Sequence, residues 1–303
     1  SRAGPMQRPP HHGRERTTME MTAHGDVNET ARNASVQTHT AKRFSLVRPL
    51  KELFAHQELI RYLVGAELKV RYRGSVLGFL WTLLNPILLM IVLWAVFSQL
   101  RRFRMENYAL YLLAGLMVWT FFQQSVNQGM QSLVKNKGLF SKIYLPKLVF
   151  PVTTVTSNLV NFAFFLTAYL LIAAFTSVGW HTTVPLIFGV AAMLYLLSAG
   201  AALLLSTLNV FYRDFGHMIG PLLRAMFYVT PIIYPPEMLG ETGMLLLRFN
   251  PVFYPTVAAK SLLYHGQMPT AEIWLGGFGW AVVSLLFGLW VFIRNEEKFI
   301  YYA

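Results

Sequence analysis

The chain is 303 residues long, 54% hydrophobic and only 13% charged, with a mean hydropathy of +0.43 and a formal net charge of +12. A soluble domain carries roughly 25% charged residues, so this composition argues against a water-soluble fold, and the absence of cysteine excludes disulfides and thiolate metal sites. The positive charge is no nucleic-acid footprint, because the basic residues fall in a tail and in loops rather than on one face of a folded soluble domain.

Residues 1–44 are polar and rich in His, Arg, Thr and Asn, with no apolar core of a signal peptide. They read as a disordered cytoplasmic tail. In 45–75 the pattern changes. Leu50, Leu53, Phe54, Leu59, Ile60, Leu63 and Val64 recur at helical spacing, interleaved with Lys51, Glu52, Glu58, Arg61 and Glu67. This is an amphipathic helix suited to the membrane interface, and it ends in the basic cluster Lys69, Arg71 and Arg73.

Charge-free runs follow at 76–100, 107–134, 148–180 and 273–293. Each reaches the roughly 20 residues that a helix needs to cross about 30 Å of hydrocarbon. Backbone groups in lipid must be satisfied within their own segment, and the alternation of a membrane barrel is missing, so the spans are helical. The predicted spans are 76–100, 108–128, 148–176, 185–210, 218–234 and 273–293. The fold class is therefore an all-α membrane protein, with six transmembrane helices in a domain over 76–298 and a short tail at 299–303. Between the fifth and sixth spans, 235–272 is half apolar and broken by proline and glycine. Its pieces 244–249 and 257–264 are too short to cross and read as re-entrant or interfacial helices in an outer hairpin.

Lysine and arginine counts orient the spans. With both termini inside, thirteen basic residues of 1–75 are cytoplasmic, as are Lys135, Lys137, Lys142, Lys147, Arg213, Arg294 and Lys298. Arg101, Arg102, Arg104, Arg248 and Lys260 fall outside. The asymmetry places both termini in the cytoplasm, although the Arg101–Arg104 cluster runs against the rule.

What is missing narrows the function. There is no G-x-x-x-x-G-K-[ST] phosphate loop and no His/Asp/Glu cluster at metal-ligand spacing. No carboxylate lies inside a predicted span, whereas ion-coupled carriers keep ionisable groups there. A transporter of this kind takes its energy from a partner. Arg224, alone inside a span, either attracts a phosphate on a passing substrate or snorkels to the headgroups. Aromatics such as Trp81, Trp94, Trp119, Phe227 and Tyr228 suit either a sugar-lined pore or the interfacial belt. Asn85-Pro86 kinks the first span, and Thr230-Pro231 with Tyr234-Pro235-Pro236 ends the fifth.

Arg71-Tyr72-Arg73-Gly74-Ser75-Val76-Leu77-Gly78-Phe79-Leu80-Trp81 followed by Leu84-Asn85-Pro86, then Asn209-Val210-Phe211-Tyr212-Arg213-Asp214-Phe215, Thr230-Pro231-Ile232-Ile233-Tyr234-Pro235 and Asn250-Pro251, come in an order that resembles the polysaccharide-export permeases of the type-two ABC exporter family. The resemblance covers about 50–300. It implies a homodimer of six-span subunits in the bacterial inner membrane, with two copies of a separate ATPase. That partner supplies the ATP and Mg, and this chain holds no cofactor and is no enzyme by itself. The implied cargo is a lipid-linked glycan such as O antigen, serving lipopolysaccharide biosynthesis, or else galactan, capsule or teichoic acid. In that family the loop after the second span docks the ATPase, which here points to Lys135, Lys137, Phe140 and Lys142. First and fifth spans line the path, so Trp81, Asn85, Trp94, Arg224, Phe227 and Tyr228 are candidate channel residues. Charge makes Lys69, Arg71 and Arg73 the candidate substrate entry. Two competing readings are a membrane enzyme of glycan assembly, which needs acids that 235–272 offers sparsely, and a drug or small-lipid exporter of the same fold.

Overall fold

The computed structural model describes residue 4 and residues 51, 53, 55–74, 78, 80–97, 105–140, 145–178 and 180–299. Of the two compact units, 1–45 and 46–303, only the second has described secondary structure. The predicted tail and the basic cluster at 101–104 lie outside the described residues, as do Lys142 and residues 300–303.

Every described element is helical. Helix α1 (Gln57–Tyr72) half-buries Leu59, Ile60, Leu63 and Val64 and exposes Glu58, Arg61 and Lys69. It is the amphipathic helix that the spacing predicts, and it packs against α5 (Val149–Ala174). Between them in sequence come α2 (Leu80–Phe97), α3 (Tyr108–Lys135) and the single turn α4 (Lys137–Phe140). A 3-10 turn at Val184–Leu186 leads into α6 (Ile187–Phe211). Then follow α7 (Phe215–Val229), α8 (Gly240–Arg248), α9 (Phe253–Leu263) and α10 (Ala271–Asn295).

Four of these are long and apolar enough to cross a membrane: α3, α5, α6 with its leading turn, and α10 with its trailing one. The chain is thus a multi-pass membrane protein. Helices α2 and α7, in the first and fifth predicted spans, are not among these four. Helix α2 has 18 residues and α7 has 15, which at 1.5 Å per residue reach roughly 27 Å and 22 Å. Helix α7 stops early because Pro231 has no N–H to continue the ladder and Thr230, before it, is driven into an extended conformation (φ −73°, ψ 134°).

Helix α3 stands in the middle. It packs against α2, α5, α6, α7 and α9. It is the least apolar of the four spans, with a window hydropathy of 1.3, yet 78% of that window is buried. Helix α10, at 1.9, is only 28% buried. The inversion is physical. A helix facing lipid must be apolar all round, whereas a helix enclosed by protein carries Gln, Asn and Ser that neighbours satisfy.

The tightest packing joins α6 and α10. A Cβ on Gly200 would fall 2.2 Å from the Ser284 carbonyl carbon, and one on Gly288 would fall 2.1 Å from the Gly200 carbonyl oxygen. Without a hydrophobic drive between helices in lipid, such small-residue crossings supply van der Waals contact and weak hydrogen bonding. We expect Gly288→Val to disrupt this crossing, at a cost of about 1–3 kcal/mol or more from overpacking against backbone. Gly279→Ala on the same helix meets nothing within 4 Å. Thermal unfolding in detergent checks the contrast: a clear drop in Tm for Gly288→Val and no loss for Gly279→Ala.

Candidate functional site

At the end of α7 the chain leaves helical geometry while still buried. Thr230, Pro231, Ile232 and Ile233 are all enclosed by protein. The carbonyls beyond the break have no helical partner, and each one from 231 to 234 instead meets a side-chain donor. The Lys260 ammonium donates to Pro231 O at 2.5 Å and to Ile232 O at 2.9 Å. The Tyr108 hydroxyl donates to Ile233 O at 2.6 Å, and the Tyr111 hydroxyl to Tyr234 O at 3.0 Å. Asn250 Nδ2 donates to Thr230 Oγ1 at 2.9 Å, while Asn250 Oδ1 accepts from the Val252 N–H, which opens α9. This contact joins the two proline motifs that lie twenty residues apart in sequence.

Lys260 is only 3% exposed and also sits 3.6 Å from the centre of the Tyr111 ring. Gly115 of α3 makes room for it, since a Cβ there would lie 3.0 Å from Lys260 Cε. Helix α9 is outside the four long spans. Burial there pulls the Lys260 ammonium well below the ordinary lysine value, and the Glu237 carboxylate acts the other way. Two carbonyl oxygens and an aromatic face are the groups that offset such desolvation. The far end of α9 is tied as firmly. Thr183 Oγ1 donates to Leu262 O at 2.8 Å and the Tyr169 hydroxyl to Leu263 O at 3.1 Å.

A second polar cluster joins α1 to α3 and α5. The Arg71 guanidinium donates to Gln128 Oε1 at 2.7 Å, Asn158 Oδ1 at 2.9 Å and Glu67 Oε1 at 3.1 Å. Ser157 Oγ donates to the other Glu67 oxygen at 3.0 Å. Arg71, a candidate for substrate entry, is thus drawn among protein groups, while Lys69 and Arg73 stand exposed beside it.

At the Lys135 end of α3, Lys135 and Lys137 are exposed on either side of Asn136, which terminates the helix. Phe140 is buried, with its ring 5.8 Å from that of Phe150. It braces the loop from within. Val134 and Leu139 are the apolar groups exposed beside the lysines.

The predicted channel residues fall on two helices that lean against α3. On α2, Trp81, Asn85, Leu88, Val92 and Trp94 are exposed. On α7, Arg224 and Tyr228 are exposed, and Phe227 turns inward to meet Trp119 edge-on at 5.5 Å. Helix α7 buries only Ile219 and Leu223. Among the described residues no group of three or more His, Asp or Glu lies close enough to hold a metal ion.

Sequence reasoning did not single out Lys260, Tyr108, Tyr111, Gln128 or Asn158. A usable signal existed for the amides, because Gln and Asn inside charge-free runs must find partners in protein. Lys260 carried none, because a lysine within the short predicted helix 257–264 reads as one more basic residue on the outer side.

A sequence profile described as ABC-2 type transporter matches residues 58–264, a range that holds all of α1 but its first residue, the Arg71 cluster, α7 and the Lys260 contacts. The chain is 31% identical over 257 residues to the O-antigen export system permease protein RfbA of Myxococcus xanthus, covering 84% of this chain and 98% of that one. It is 27% identical over 246 residues to the protein of the same name from Klebsiella pneumoniae, covering 80% and 93%. Against the polysialic acid transport protein KpsM of Escherichia coli it is 21% identical over 243 residues, covering 77% and 92%. The match thus spans nearly the whole of each relative, and the chain belongs to the ABC-2 type transporter membrane family.

Proposed function

We propose that this chain is the channel-forming permease subunit of an ABC exporter that moves a lipid-linked polysaccharide of the O-antigen kind across the bacterial inner membrane. The similarity to O-antigen export permeases over 98% of a relative's length carries this reading. In it, α2 and α7 complete a six-span subunit with both termini in the cytoplasm, and α8 and α9 form a re-entrant hairpin over the outer mouth. A second copy of the chain covers the exposed faces of α2 and α7. Support for that placement comes from burial: α3 is enclosed, whereas Trp81, Asn85, Trp94, Arg224 and Tyr228 all lie on faces that this chain leaves open. Aromatic rings with a few polar groups suit a surface over which sugars slide, because stacking on a ring face is tolerant of position.

Two copies of a separate ATPase supply the energy and hold ATP and Mg. Lys135 and Lys137, with exposed Val134 and Leu139 beside them, offer a basic and apolar docking element for that partner, and Lys142 belongs to the same loop. Lys69 and Arg73 form the exposed basic entry for the phosphate end of the lipid carrier, beside the tethered Arg71.

Two outcomes test the reading. Purified alone, the chain shows no ATP hydrolysis, and membranes containing it hydrolyse ATP only when the partner ATPase is co-expressed. Hydrolysis by the chain alone overturns the proposal. The triple variant Lys135→Glu, Lys137→Glu, Lys142→Glu inserts normally but loses ATPase co-purification, with an on-rate drop of about tenfold or more expected from reversed charge steering. Undiminished co-purification removes this loop as the docking element.

A further inference from the structure

Helix α7 is held very differently at its two ends. At the Thr230 end, four successive carbonyls and one hydroxyl are bonded to side chains of α3, α9 and the turn before α9. Over residues 215–225, only Ile219 and Leu223 are buried, and among the described residues no side chain there makes a hydrogen bond or ion pair. Within this stretch lies Gly220-Pro221. Pro221 removes the bond to the His217 carbonyl, and Gly220 has nothing within 4 Å of the place a Cβ would take. A helix whose following segment is fastened by side-chain hydrogen bonds, whose other half is held by the apolar contacts of Ile219 and Leu223 alone and is weakened at Gly220-Pro221, can move as a hinged arm.

We infer that Lys260 is a positioning residue that clamps the Thr230 end of α7 to α3 and α9, making that end the fixed pivot about which the other half of α7 moves. The inference deepens the proposed function and rests on α7 lining the path. Movement is then confined to the cytoplasmic half, where the substrate enters and the ATPase acts, while the outer end of α7 stays in register with the hairpin. No carboxylate is needed in the clamp, because the carbonyls beyond the proline break supply the negative ends of the dipoles. A neutral side chain of similar length fills the space but leaves the Pro231 and Ile232 carbonyls unpaired.

The absence of native cysteine allows a direct test. Tyr228→Cys and Met218→Cys each place one thiol on an exposed position of α7, near the clamped and the loose end respectively. Each is spin-labelled, and the full chain is studied in lipid nanodiscs by electron paramagnetic resonance, with no ATPase or glycan present. The label at 228 is expected to be immobilised relative to the label at 218. Lys260→Met should mobilise the label at 228 by about threefold in correlation time and leave the label at 218 unchanged, while Lys260→Arg, which keeps the donors, stays close to the unsubstituted chain. Equal mobility at the two positions before any change at Lys260 overturns the inference. So does a folded Lys260→Met that alters neither label, or one that loosens both alike. Should Lys260→Met fail to fold, Gly115→Ala crowds both Lys260 Cε and Ile232, the two sides of the clamp, and must shift the label at 228 in the same direction to a smaller extent; no shift in that folded variant overturns the inference as well. Because neither partner nor cargo enters the measurement, a negative result here is separate from failure of the transport assignment.

Discussion

A carbonyl that leaves a helix while buried in protein has no water to turn to, and the protein has to supply its donor. Each buried group left unsatisfied costs about 1–3 kcal/mol. The break after α7 frees four such carbonyls in a row, and their donors dictate much of the surrounding sequence and packing. Two tyrosines sit one helical turn apart on α3, a lysine points inward from α9, and Gly115 leaves space for it. Helix α9 can enter the protein because Thr183 and Tyr169 take its last carbonyls in turn. Remove the break, and the buried Lys260 loses the carbonyls that it pairs with.

The same constraint explains how polarity is distributed. The amides Gln128 and Asn158 sit where α3 and α5 meet α1 and find partners there, whereas α10 leaves an apolar surface uncovered by this chain. Helices α2 and α7 fit neither class. They lean on α3 yet leave large aromatic and aliphatic groups uncovered by this chain.

The four long spans were legible because an uninterrupted apolar run has only one structural solution in lipid; α3 begins at the predicted residue, and α5, α6 and α10 begin within a few. Helix α1 was legible from its periodicity. The end of α7 was harder. Apolar residues continue through Ile232 and Ile233, so hydropathy runs on past the point where Thr230-Pro231 stops the helix. Lys260 and Arg71 were hardest. Each is read by its charge as a surface group, and what draws it inward lies far off in the chain: Pro231 and Tyr111 for one, Gln128 and Asn158 for the other. Nothing local encodes such pairings. The ordered proline motifs pointed to the family without revealing that Thr230 and Asn250 touch.

The attachment of Arg71 also gives α1 a mechanical character. Sixteen residues of helix make a rod of roughly 24 Å, and its polar fastening sits in the final turn. A displacement of α1 along its axis thus reaches α3 and α5 together, through Gln128 on the one and Asn158 and Ser157 on the other.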